Sequence, residues 1–170
     1  MADARDRAGR TLDILRILLG LIWAVNLLFI FLPVSWAYFW SSFRDTAYSY
    51  AFSTLGGPGL ADFVAANPTV FGWSIVVASV YLTVALLLGF TVRLACVVGL
   101  IMSVVFFLTQ WYSTFVFPGG TDVGPHPLYL AIYVALFLGG AGRYWSVDGW
   151  LWRSGRARLA KVAQWIATPA

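Results

Sequence analysis

Four stretches of this chain carry no Asp, Glu, Lys or Arg: Ile17 to Phe43, Phe63 to Val92, Leu94 to Thr121 and Val123 to Gly142, which count 27, 30, 28 and 20 residues. A hydrocarbon core of roughly 30 Å takes about 20 helical residues to cross, so each stretch is long enough to span a bilayer. The stretches are continuously apolar and do not alternate, which favours helices over lipid-facing barrel strands. The expected fold is therefore all-α, a membrane protein built as one four-transmembrane-helix bundle over residues 1–170. Its spans are expected at about 12–32, 70–90, 93–115 and 127–142, with an outer loop over 33–69 and a cytoplasmic tail over 143–170. Pro33, Pro68, Pro118 and Pro127 fall at the edges of these spans, where a missing N–H does least harm.

Composition removes the water-soluble alternative. Of the residues, 61% are hydrophobic and 11% charged, against averages near 45–50% and about 25% for soluble domains. The 18 charged side chains cannot cover the apolar area that nine Trp, eight Tyr and 13 Phe bring. Cys96 is the one cysteine and His126 the one histidine, which excludes a disulfide within the chain and a Cys/His metal cluster. A haem within the bilayer needs two axial ligands, and the chain offers His126 with Met102 as the internal thioether, so no haem or metal is expected.

The basic residues give an orientation. Arg5, Arg7, Arg10 and Arg16 precede the first span, Arg93 sits between the second and third, and Arg143, Arg153, Arg156, Arg158 and Lys161 follow the fourth. Arg44 alone lies in a loop on the other side. By the positive-inside rule both termini are expected in the cytoplasm, in a multi-pass protein of the plasma membrane with its first span retained. The +4 net charge then reads as topology and contact with anionic membrane lipids, and a nucleic-acid partner is not expected.

Two segments outside the spans have helical patterning. Trp36, Phe39, Trp40, Phe43, Ala47 and Tyr50 share one arc, with Ser42, Asp45 and Ser49 opposite, as in an interfacial helix on the outer surface. The same segment also reads as a lid over an outer pocket. In the tail, Leu151, Leu159, Val162 and Ile166 fall on one face of an amphipathic helix along the inner leaflet.

Polar residues inside lipid are costly, so the few present narrow the search. Asn26 lies mid-span, Gln110 beside Trp111 and Tyr112 near the outer end of the third span, and Asp122 and His126 at the entrance to the fourth. Gln110, Trp111 and His126, with Trp36 or Trp40 above them, could line an outer pocket for a quinone or a lipid, Gln110 donating to a carbonyl and His126 exchanging protons. Against this stands a plainer reading, in which Asn26 and Gln110 join helices and the aromatics form an interface girdle. At the inner end Arg16, Arg93, Arg143 and Asp148 approach one level from different helices, either as an Arg–Asp148 ion pair that fastens the bundle or as a receiver for an anion or lipid phosphate.

These inner residues carry a resemblance. The opening Arg16-x-x-x-Gly20, the segment LLLGFTVRLA around Gly89, Thr91, Arg93 and Ala95, and the closing GAGRYWSVDGWL with Gly142, Arg143, Tyr144 and Asp148 resemble the DoxX/DoxD family of four-helix membrane proteins over most of the chain. The resemblance implies a redox setting: the membrane subunit of thiosulfate:quinone oxidoreductase, or relatives associated with thiol redox and oxidative-stress complexes. Quinone is the cofactor it implies and other membrane-complex subunits are the partners. The chain departs from the family in carrying Asn26 and an apolar Leu-Leu-Phe-Ile run where many relatives have a Gly and a Lys, and in its long aromatic first loop.

The residues hold no self-contained catalytic motif. One expectation is a quinone-binding subunit of a redox complex that takes electrons from a separate partner. The other is a non-catalytic accessory or assembly subunit of a larger membrane complex. A small transporter comes third, weakened by the near absence of ionisable residues within the spans.

Overall fold

Apolar runs of this length leave the backbone one way to satisfy its own N–H and C=O groups out of reach of water, and helices dominate the described residues. The computed structural model describes residues 2–32, 62, 63, 66–116 and 126–154, and among them there is no strand. Five helices follow in order: α1 (Ala2–Phe31), α2 (Pro68–Leu88), α3 (Val92–Val116), α4 (His126–Gly139) and the short α5 (Val147–Arg153). Two are long and apolar enough to cross a membrane, α1 over Asp6–Leu28 and α2 over its whole length. Shorter apolar helical stretches run over Val92–Val105 in α3 and Pro127–Gly139 in α4.

The expected spans and the helices differ most at two ends. Helix α1 begins at Ala2, ten residues before the expected start at Leu12, because its first turns are built from Ala and Arg, which favour helix in water as well as in lipid. Helix α4 stops at Gly139, short of the expected Gly142, since Gly140 and Gly142 both take positive φ, 70° and 93°. Its 14 residues rise about 21 Å. The outer interfacial helix lies outside the described residues, as does the tail beyond Ser154, of which α5 is the described part.

Each helix packs on its chain neighbour and α4 returns to α1, so the four long helices close a ring. Leu19 and Trp23 from α1, Leu82, Ala85 and Leu86 from α2, Val92, Ala95, Cys96 and Met102 from α3, and Tyr133 and Leu136 from α4 form the core. Small residues let the helices approach. Gly20 sits where a Cβ would lie 3.0 Å from the Leu87 backbone nitrogen, and Gly99 where one would lie 2.1 Å from Tyr133 Cζ. The Tyr133 ring therefore lies across α3 at Gly99, and its hydroxyl accepts from Trp23 Nε1 on α1. The outward faces are apolar too: Leu18, Leu21 and Val25 on α1, Val77, Val84 and Leu88 on α2, Ile101 on α3 and Leu138 on α4 are all exposed.

Candidate functional site

One end of the ring gathers the α2–α3 turn, the connection from α4 to α5, and the second turn and beyond of α1, and it contains the buried charges. Helix ends leave carbonyls and N–H groups without intrahelical partners, the carbonyl end carrying partial negative and the N–H end partial positive charge. Here Asp13 and Arg16 from α1 and Asp148 from α5 answer them.

Arg16 is fully buried. Its Nη1 donates to the Leu86 carbonyl and, at 3.3 Å, to that of Leu87, the last carbonyls of α2, while Nη2 donates to Trp145 O at 2.6 Å. Asp13, one turn earlier on the same face of α1 and also fully buried, lies 3.5 Å from Arg16 Nε. Its carboxylate accepts from the backbone N–H groups of Gly142, Tyr144 at 2.9 Å and Trp145 at 3.1 Å. A single side chain thus holds the whole turn after α4.

Asp148 does the same for α3. Its two oxygens accept from Thr91 N at 2.9 Å and Val92 N at 3.0 Å, the first N–H groups of that helix. Its own backbone N–H donates back to Gly89 O at 3.0 Å. Burial pushes the Asp148 carboxyl above its ordinary range, and the two backbone N–H groups and the charge of Arg16 pull it back without cancelling that cost. Gly89, at φ 67°, ends α2 in the left-handed conformation, and a Cβ there would lie 2.4 Å from that of Ser146. Thr91 also has positive φ, 53°, and shares a 2.9 Å hydrogen bond with the Tyr81 hydroxyl. Ser146 caps α5, its Oγ accepting from Gly149 N at 2.9 Å.

The expected inner cluster of Arg16, Arg93, Arg143 and Asp148 is joined here by Asp13. Arg16 lies nearest Asp13 as its carboxylate neighbour, and Asp148 turns its oxygens to the backbone N–H groups of Thr91 and Val92. Arg93 and Arg143 stand at the same end without joining this network: the Arg93 guanidinium lies 5.8 Å over the Phe137 ring, and Arg143 enters through its carbonyl, which accepts from Arg153 at 3.1 Å. At the rim, the Tyr144 hydroxyl donates to Asp6 at 2.7 Å, which holds the phenol protonated above its ordinary value, and Arg10 lies 5.8 Å over the Tyr144 ring.

Of the outer set, Trp36 and Trp40 lie outside the described residues, and so do the side chains of Gln110, Trp111 and His126. The backbone places Gln110 and Trp111 in α3 and His126 at the first position of α4. Asn26 is exposed on α1. The residue that sequence reasoning missed is Asp13, although its three-residue spacing from Arg16 puts both on one helix face.

Chemically, the network binds peptide groups. Arg16, Asp13 and Asp148 all have protein partners, and among the described residues no group of His, Cys, Asp and Glu is placed to hold a metal ion. No family model, curated protein or solved structure matches the chain.

Proposed function

We propose that this chain is a four-span membrane protein of the DoxX/DoxD type, with both termini in the cytoplasm, serving as the quinone-binding membrane subunit of a redox complex. The observation that carries the reading is where the three resembling motifs meet. Arg16 reaches Leu86, 70 positions on, and Trp145, 129 positions on, and Asp148 reaches Thr91, 57 positions back, so the three motifs form one hydrogen-bonded node. That motifs resembling one family meet in a single node supports reading them as one scaffold, and the apolar outward faces suit a lipid surrounding.

A second reading draws on the same node. Its charges are occupied in closing the bundle, which favours an accessory or assembly subunit over one that does chemistry at this end. Purification from its native membrane in mild detergent separates the two. The quinone reading expects quinone and further subunits to co-purify, with Gln110→Leu/His126→Phe lowering quinone retention while the bundle stays folded. Subunits without quinone, or wild-type retention in the double variant, select the accessory role.

A further inference from the structure

Asn26 is exposed on α1 among the exposed apolar residues Leu18, Ile22 and Val25, and among the described residues nothing meets its amide. It stands ten residues past Arg16, about 15 Å of helix rise from the polar node, and inside the apolar stretch of α1 that runs to Leu28. An amide at that depth facing lipid leaves two donors and an acceptor without partners, and a partner from outside the bundle relieves this.

We infer that α1 is a self-association face, on which the Asn26 amide hydrogen-bonds to the same amide of a second copy. The inference rests on the reading of the chain as membrane-spanning. Two considerations choose a second copy over another protein. A carboxamide is its own complement, since its N–H₂ donates and its C=O accepts. Copies inserted with the same orientation are related by an axis along the membrane normal, so each residue meets its equal at the same depth, whereas a different partner must carry a polar group at that level. Leu18, Ile22 and Val25 add an apolar seam beside it at helical spacing.

The test uses the full chain in phosphatidylcholine–phosphatidylglycerol vesicles, labelled with donor or acceptor dye through Ser154→Cys. Cys96 is fully buried and does not compete for dye. Energy transfer should rise with the protein-to-lipid ratio. Asn26→Leu should weaken association by about three- to thirty-fold, the range of one interhelical hydrogen bond in lipid, while Asn26→Gln should stay near wild type and Val84→Leu, on the exposed face of α2, should have no effect. Asn26→Cys should cross-link between copies on oxidation. Vesicle-borne wild type that remains monomeric at every ratio, or Asn26→Leu that associates like wild type, overturns the inference alone. A chain that fails to float with the vesicles overturns it together with the membrane reading.

Discussion

Asp13 shows what a single residue does in this fold. Its carboxylate accepts from three backbone N–H groups more than 125 positions away and faces the Arg16 guanidinium. Asp13→Ala leaves those N–H groups without their acceptor and the buried Arg16 without its nearby counter-charge, and breaking a buried pair in this way costs about 3–5 kcal/mol. Thermal unfolding in detergent should show the loss, and an unchanged midpoint would mean that water replaces the carboxylate. Arg16, Arg93, Arg143 and Asp148 are legible in the sequence as a group at one membrane level because charge is scarce. Asp13 is not, since an acid just outside a charge-free stretch looks like a solvated flank. Nothing local says that the turn after α4 will fold onto it.

At the scale of elements, the helix ends are where sequence and structure part. The cores of α2 and α3 follow from their apolar length, and their boundaries fall within about two residues of the expected ones. What the pattern does not disclose is that α3 receives its N-terminal cap from α5, through Asp148, with Thr91 in a conformation rare for a side chain with a Cβ. Asp148→Asn tests the cap. The amide keeps the shape but offers one oxygen and one N–H₂, so either Thr91 N or Val92 N faces a donor, at a cost of about 1–3 kcal/mol. Protease digestion in detergent should then cut near the α2–α3 turn faster than in wild type, and equal rates would argue that the second oxygen is dispensable.

For the molecule as a whole, the ring of helices and its apolar exterior were readable from four charge-free stretches, while the outer aromatic set was readable only as a list of residues. Trp36 and Trp40 fall outside the described residues, as do the side chains of Gln110, Trp111 and His126. The ten-to-one distribution of basic residues makes a further expectation: in sealed cells an impermeant thiol reagent should label Gly120→Cys from outside and leave Ser154→Cys untouched. Labelling at position 154 would reverse the orientation.

The node also sets an order of events during synthesis. Asp13 and Arg16 leave the ribosome long before Gly142, Tyr144 and Trp145, and Thr91 and Val92 before Asp148. Until the C-terminal segment follows, Asp13 lacks its backbone N–H partners, and Thr91 N and Val92 N at the α2–α3 turn lack Asp148. On the proposed membrane-spanning reading, a nascent chain in that state belongs at the headgroup level, where water can serve the charges. Completion of the C-terminal segment is then the step that gives Asp13 and the α2–α3 turn their partners, so a chain truncated before Gly142 lacks the contacts that close this end of the ring.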